Sequence, residues 1–280
     1  MPEYFTYSHF EAAAAMVREA TEIEPQVGLI LGSGLSPLAD GVENSVAFDY
    51  GELPHFPVST VEGHTGRFVV GHLEGQPVAV MQGRAHYYEG YSMAEITFPV
   101  RVMQTLGIEM LIVTNAAGGL NPEFQAGDVM LITDHINLIG MAGLNPLRGP
   151  NLDEFGPRFP DMSAVYDAEL RSAAVQVAAE NSIPCHQGIY ICLAGPSYET
   201  MADLGFLRTI GANAVGMSTV PEATVARHGG TRVLGLSGIT NVLPTPGGPV
   251  VETNHEEVLA AGEQLTPRLE AIIRGVLKAQ

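Results

Sequence analysis

A short apolar run that ends in a glycine-rich loop, QVGLILGSGLSP at residues 26–37, constrains the fold of this chain most. Its Val, Leu and Ile residues are typical of a strand buried on both faces, which implies a sheet covered by helices. Gly32 and Gly34 allow a sharp turn whose N–H groups face outward, and Pro37 suits the first turn of a helix. Strand, loop and helix start together favour an anion site, although an ordinary tight turn has the same pattern.

The kind of anion can be narrowed by what this loop lacks. A P-loop needs a lysine after its second glycine, and none follows here. A dinucleotide-binding loop needs a third small residue where Pro37 stands. We therefore expect the loop to bind a single phosphate group, with the Ser33 hydroxyl as an additional donor.

The charge balance limits the class of partner. The 280 residues include 13 Lys and Arg against 31 Asp and Glu, a formal net charge of −18 at pH 7. Such an acidic surface argues against nucleic acid or an anionic membrane as partner, and favours a small molecule. With 46% hydrophobic residues the chain can bury one large core. We expect one domain over 1–280, although this length also allows two.

Cysteine use and the missing apolar segments indicate the compartment. Cys185 and Cys192 are too few for a disulfide framework, so we expect a reducing, cytoplasmic location. The N-terminal residues lack a signal-peptide pattern. No apolar run approaches the ~20 residues that span a bilayer.

Periodicity gives the element order. The first helix is expected to start with a capping box at Ser8–Glu11. Asn254 is expected to cap the last helix, with His255 near its start. The Pro- and Gly-rich residues 140–162 predict a long functional or interface loop. Further helices are predicted at 94–106, 163–181 and 200–211, and strands at 67–73, 77–82, 109–114, 128–133, 186–193, 212–215 and 232–239.

Polar residues follow six of the predicted strands. They are Ser33, Arg84 with His86, Asn115, Glu199, Ser218 and Asn241. Ligands of twisted α/β sheets bind outside the carboxyl ends of the strands, so we expect these residues to converge on one site. They offer phosphate donors and an amide–carboxylate pair, and Tyr88, Tyr198 and Met217 could pack a sugar or a flat ring. This set suits positioning and electrostatic stabilisation, rather than a covalent nucleophile.

Several other kinds of catalytic site are missing from the sequence. There is no Gly-x-Ser-x-Gly elbow, and neither cysteine has a nucleophile's setting. The nine histidines do not form a metal-ligand spacing, so the sequence predicts no metal site.

The joint pattern resembles the trimeric purine nucleoside phosphorylases, from Gly28 to Gly262. The matching stretches are LGSGL at 31–35, STVEGHTGR at 59–67, QGRAHYYEGY at 82–91, TNAAGGLNP at 114–122, DHINL at 134–138, NPLRGPN at 145–151, GPSYET at 195–200, VGMSTVPE at 215–222, ITN at 239–241 and NHEEVL at 254–259. The resemblance implies a single α/β domain with a central mixed, twisted sheet flanked by helices. It also implies a homotrimer that phosphorolyses purine ribo- or deoxyribonucleosides reversibly, without a cofactor.

The resemblance also implies a role for each matching residue. Catalysis would depend on Asn241, His86 and Glu199. Phosphate would be bound by Ser33, His64, Arg84, His86, the Ala116 N–H and Ser218. The purine would contact Glu199, Asn241, Tyr198 and Ala116. The ribose would contact Tyr88, Met217, His255 and, from a neighbouring subunit, Phe159. Glu89 would orient His86 by a hydrogen bond.

Glu199 and Asn241 favour 6-oxopurine nucleosides such as inosine and guanosine, because a carboxylate attracts N1–H and repels the N1 lone pair of adenine. Three other readings remain open: a methylthioadenosine phosphorylase of the same fold, a non-catalytic nucleoside-binding protein, and a hydrolase. The chain departs from the family in two places. Tyr198 stands where vertebrate members carry Phe, and residues 242–248 after Asn241 match no family pattern.

Overall fold

A mixed sheet forms the centre of the molecule. The computed structural model describes residues 4–61, 65–245 and 255–280, the side chains of 255–260 and 263 excepted. Within these residues nine strands pair in the order β2-β3-β4-β1-β5-β8-β7-β6-β9, and β5 also pairs with β9. The strands are β1 (Val27–Leu31), β2 (Glu43–Asp49), β3 (Arg67–Leu73), β4 (Gln76–Gln82), β5 (Met110–Gly119), β6 (Val129–Ile136), β7 (Cys185–Cys192), β8 (Ala214–Gly216) and β9 (Arg232–Val242).

Helices cover both faces of this sheet. They are α1 (Tyr7–Ala20), α2 (Met93–Leu106), α3 (Leu138–Met141), α4 (Ala168–Glu180), α5 (Met201–Thr209), α6 (Val220–His228) and α7 (His255–Lys278). Apolar side chains of α1, α2 and α6 form one buried cluster with one set of strand residues. Those of α4 and α7 form a second cluster with the alternate strand residues, as side-chain alternation along a strand requires. The predicted mixed sheet flanked by helices is confirmed. None of the described helices is both long and apolar enough to span a bilayer.

Strands β5 and β9 lie side by side and parallel, and both extend further than the sequence predicts. Their ladder pairs Asn115 with Ser237, and Gly118 with Asn241. The register shifts between Ala117 and Gly118, so that Thr240 of β9 has no partner on β5. This is the arrangement of a β-bulge. Residues 115–119 and 240–242 were expected to follow the strands, and they are instead parts of them.

Several predicted boundaries were wrong. Helix α1 is capped at Thr6, with His9 as the partner in its capping box, rather than at Ser8. The phosphate-type loop leads into a short 3₁₀ turn, Ser36–Gly41, instead of an α-helix. Strand β2 was not predicted, because its mostly exposed residues lack an apolar pattern. Helix α4 begins only at Ala168, where Asp167 caps it. The expected cap at Asn254 lies outside the described residues.

Candidate active site

A cleft of about 770 Å³, its open mouth included, lies at the carboxyl ends of the parallel strands. That size suits a small-molecule ligand. The structure brings together in it all but three of the site residues expected from the sequence: Ser33, Arg84, His86, Tyr88, Ala116, Tyr198, Glu199, Met217, Ser218 and Asn241.

The three other expected residues lie elsewhere or are not described. Phe159 is 89% exposed and lies in a separate surface depression with Arg148 and Arg158. His64 lies outside the described residues. His255 begins α7, but its side chain is not among those described.

The glycine loop after β1 lies directly on β5. The Gly32 N–H donates to Thr114 Oγ1 at 2.8 Å, and that hydroxyl donates to the Ile30 carbonyl at 2.9 Å. A Cβ at Gly32 would stand 3.0 Å from both the Asn115 Cα and the Thr114 carbonyl oxygen. Only glycine therefore allows this close approach, and the approach places Ser33 in the cleft.

Arg84 is a buried cation at the same end of the cleft. Only 2% of its surface is exposed. Its Nη2 donates to the Thr114 carbonyl, and its Nη1 lies 3.5 Å from Glu222 Oε1 and 3.5 Å from Thr219 Oγ1. Glu222 is equally buried. A buried pair of this kind is strongly destabilised when one partner is removed, because the other charge remains uncompensated.

A strained turn carries Ser218 into the cleft. Thr219 has φ +75° and ψ −48°, and the Val220 N–H donates to the Ser218 carbonyl at 2.8 Å. This is a γ-turn with a conformation that is rare for a β-branched residue. The Thr219 hydroxyl accepts a hydrogen bond from Asn115 Nδ2 at 2.9 Å. That bond joins the turn to β5, beside the Ala116 backbone, and stabilises it.

His86 is oriented by a carboxylate. Glu89 Oε1 accepts from the His86 backbone N–H at 2.6 Å and lies 3.0 Å from His86 Nδ1. Its Oε2 accepts from the Thr60 backbone and hydroxyl at 2.5 and 2.8 Å. Burial disfavours the charge on Glu89, but these bonds outweigh burial and lower its pKa to about 2. An ionised carboxylate only accepts, so Nδ1 carries the proton. The Tyr88 ring stacks on His86, with centroids 4.8 Å apart.

Glu199 and Asn241 line the same cleft. Burial raises the pKa of Glu199, and the nearby negative charge of Asp203 raises it further. The Asn241 Oδ1 lies 3.1 Å from the Thr240 hydroxyl, which also lies 3.3 Å from the Ala117 carbonyl. A hydroxyl can donate to an amide oxygen or accept from its NH₂ group, so this contact holds the Asn241 side chain in place without assigning the orientation of its amide.

Some residues that support the cleft were missed in the sequence. Thr219 and Glu222 resemble ordinary residues at the start of a helix, and Arg208 resembles a solvated helical cation. The only sequence signal that could have marked Arg208 as functional is the small number of basic residues, 13 in the whole chain. Among the described side chains, no group of three His, Cys, Asp or Glu could hold a metal ion.

Comparison with known proteins identifies the family. Residues 26–278 match the model of the phosphorylase superfamily. The chain is 53% identical to purine nucleoside phosphorylase 1 of Bacillus subtilis over 271 residues, which covers 95% of this chain and 97% of that protein. It is 50% identical to the Mus musculus purine nucleoside phosphorylase over 277 residues, with 98% and 95% covered.

Solved structures agree with this comparison. A Schistosoma purine nucleoside phosphorylase in complex with hypoxanthine superposes with a TM-score of 0.93 at 42% identity, covering 98% of each chain. The Schistosoma mansoni enzyme in complex with inosine also gives a TM-score of 0.93, at 41% identity, covering 99% of this chain and 98% of that one. Fold and sequence agree, and the chain belongs to the purine nucleoside phosphorylases of the phosphorylase superfamily.

Proposed function

We propose that the cleft catalyses reversible phosphorolysis of purine nucleosides and deoxynucleosides, giving free base and (deoxy)ribose 1-phosphate. One observation carries this proposal: a single cleft is lined by the phosphate-type donors Ser33, Arg84 and Ser218 and also by Glu199 and Asn241. We assign the first set to one end of the cleft and the second set to the other. The relatives named purine nucleoside phosphorylase support the reaction class. The related structures with inosine and hypoxanthine support a purine ligand.

At the first end, orthophosphate would lie below the sugar. Its partners would be the Ser33 and Ser218 hydroxyls, Arg84, His86 and the Ala116 N–H. As the bond between C1′ and the purine nitrogen lengthens, the sugar gains positive charge, which the phosphate anion stabilises. A phosphate oxygen then bonds C1′, and the electron pair of the broken bond leaves with the purine. The proposed reaction needs no cofactor, because phosphate itself is the nucleophile that displaces the purine.

At the other end, the departing purine gains negative charge. The Asn241 amide would bond it near N7 and O6, and those hydrogen bonds strengthen as the charge develops. Interactions that are stronger in the transition state than in the ground state raise the rate of the chemical step. We therefore assign the largest catalytic effect at this end to Asn241, and the recognition of N1–H to Glu199.

The same two residues favour inosine and guanosine over adenosine. An ionised Glu199 would accept from the N1–H of a 6-oxopurine and would repel the N1 lone pair of adenine. The rival methylthioadenosine phosphorylases prefer 6-aminopurines and use a carboxylate where Asn241 stands. The amide at this position therefore supports the 6-oxopurine assignment.

An inosine assay with and without phosphate tests the proposal. We expect release of hypoxanthine and ribose 1-phosphate only when phosphate is present. Equal release in phosphate-free buffer would indicate a hydrolase, and purine binding without turnover would indicate a non-catalytic protein. Cleavage of methylthioadenosine as fast as inosine would contradict the base assignment.

The raised pKa of Glu199 predicts a pH dependence of nucleoside binding. The ionised carboxylate accepts the N1–H bond more strongly than the protonated form, so inosine affinity is retained above the Glu199 pKa and falls as the pH drops through it. The midpoint should lie above that of an ordinary glutamate. Calorimetric titration of inosine without phosphate measures it, because phosphate titration does not then interfere. The Glu199→Gln variant should bind weakly and lose this acid limb; an unchanged limb would contradict the role.

The sugar would lie between the two ends, against Tyr88 and Met217. Burial raises the pKa of Tyr88 to about 12, so its hydroxyl stays protonated at neutral pH and can donate to a ribose oxygen. We propose that His255 bonds the 5′-hydroxyl and that His64 is a further phosphate ligand. Both assignments rest on the family resemblance of the stretches NHEEVL and STVEGHTGR.

We also propose a homotrimer in which Phe159 closes the sugar site of a neighbouring subunit. The 89% exposure of this phenylalanine, outside the cleft of its own chain, supports that role. Light scattering should give a mass of three chains, and a monomeric mass would contradict the proposal. The unpaired Cys185 and Cys192 support the cytoplasmic location expected from the sequence.

A further inference from the structure

Arg208, near the end of α5, bonds three backbone carbonyl groups at once. Its Nε lies 2.8 Å from the Leu120 oxygen, its Nη1 2.9 Å from the Pro244 oxygen and its Nη2 2.8 Å from the Leu243 oxygen. All three nitrogens of the guanidinium are used. A planar, fixed fork of donors suits this task, and a lysine ammonium cannot reproduce it.

Among the described side chains, no carboxylate accounts for the position of Arg208. Burial alone lowers its pKa, and no described acidic group acts to raise it. Its charge is therefore directed at carbonyl oxygens, and hydrogen bonds from an ionised donor are roughly twice as strong as neutral ones. A side chain that loses hydration to make such bonds has a geometric role rather than that of a surface ion pair.

One side of this contact is the helix that follows Glu199. Thr200 caps α5, and its hydroxyl accepts from the Asp203 N–H at 3.2 Å. Leu204 and Leu207 of the same helix are buried in an apolar cluster. Arg208, two turns after Thr200, therefore belongs to the same helix that begins beside the Glu199 carboxylate.

The other side is the chain that leaves Asn241. Leu243 follows by two residues, lines the cleft and belongs to the same apolar cluster as α5. Its N–H donates to the Gly119 carbonyl at 2.9 Å. Arg208 also donates to the carbonyl of Leu120, the residue that directly follows β5. One side chain thus connects α5 to the ends of both central strands.

We propose that Arg208 is a positioning residue for purine recognition, which fixes Glu199 relative to Asn241. The inference rests on the proposed function, since those two groups matter only if a purine lies between them. Loosening the contact would spread the carboxylate and the amide apart and leave the phosphate end intact, because Arg84 and Ser218 lie on other segments. The same contact holds Leu243 and Pro244, the first part of the segment that matches no family pattern.

The experiment compares Arg208→Ala and Arg208→Lys with Arg232→Lys. Arg232 opens β9 at the end remote from Asn241, and pairs with Asp167 at 2.9 Å, so it is a matched control for loss of stability. Steady-state kinetics would give KM for inosine and for phosphate separately, and kcat/KM for inosine and adenosine. Thermal unfolding would be followed for each variant.

We expect both Arg208 variants to raise KM for inosine and to lower kcat/KM for inosine by up to about 100-fold, the effect of a misplacement of about 1 Å. KM for phosphate should change much less, and the preference for inosine over adenosine should fall. Arg232→Lys should lower the unfolding temperature without either change. If the Ala variant does not fold, the Lys variant decides. Parallel rises in both KM values, or an unchanged preference, would overturn the inference. Wild-type protein that fails to turn over inosine would instead overturn the proposed function.

Discussion

Replacing Asn241 with alanine should lower kcat/KM for inosine by about 10²–10³, or about 3 kcal/mol of transition-state stabilisation, the usual effect of losing one donor to a developing anion. The loss should fall mainly on kcat, because the amide bonds strengthen only as the purine gains charge. The measurement is steady-state kinetics at saturating phosphate. A change confined to KM would show that Asn241 binds the nucleoside without assisting departure of the base.

The Asn241→Asp variant separates loss of an amide from loss of a side chain. A carboxylate only accepts hydrogen bonds, so it should bind the 6-amino group of adenosine and repel the O6 of inosine. We expect kcat/KM for adenosine to rise relative to inosine, whereas Asn241→Ala lowers both. An unchanged ratio of the two substrates in Asn241→Asp would contradict contact with the purine at position 6.

Replacing Arg84 with methionine should weaken phosphate binding and destabilise the fold together. Loss of a charged donor typically removes about 1.5–3 kcal/mol of binding, or roughly 10- to 100-fold in KM for phosphate. The Glu222 carboxylate would remain buried without the cation 3.5 Å away. An uncompensated buried charge costs about 3–5 kcal/mol of folding free energy. Urea unfolding and phosphate kinetics measure the two effects.

The double variant Arg84→Met with Glu222→Gln distinguishes these effects. Removing the carboxylate charge should restore part of the folding free energy, because no charge then remains buried at that position. It should not restore KM for phosphate, since the guanidinium is still missing. Recovery of both quantities together would mean that Arg84 acts only through stability and does not bind the anion.

The strands beside the cleft could be predicted in order because each contains an apolar run, whereas the mostly exposed β2 could not. The ends of β5 and β9 could not. Asn115, Gly118 and Asn241 have low strand propensity, and these positions are extended because the two strands pair with each other along their full length. Such pairing between residues more than a hundred positions apart is invisible in a local window of sequence.

The groups that face the cleft could also be predicted, because polar residues at the carboxyl ends of strands form a recognisable pattern. The residues that support those groups from outside the cleft could not be predicted. Glu222 of α6 and Thr219, which precedes that helix, act on Arg84, and Arg208 acts on carbonyl groups of distant residues. Backbone acceptors have no residue-type signature, so nothing in the sequence marks the partner of such a cation.

Thr240 of β9 pairs with no residue of β5, and this bulge limits the insertions and deletions that the site tolerates. Side chains alternate along a strand, so deleting one residue between Arg232 and Asn241 would turn the amide away from the cleft. The spacing between the phosphate and the purine along β9 can therefore change only by whole residues. Substitutions within this part of the strand preserve the spacing, whereas the chain can be lengthened only outside it.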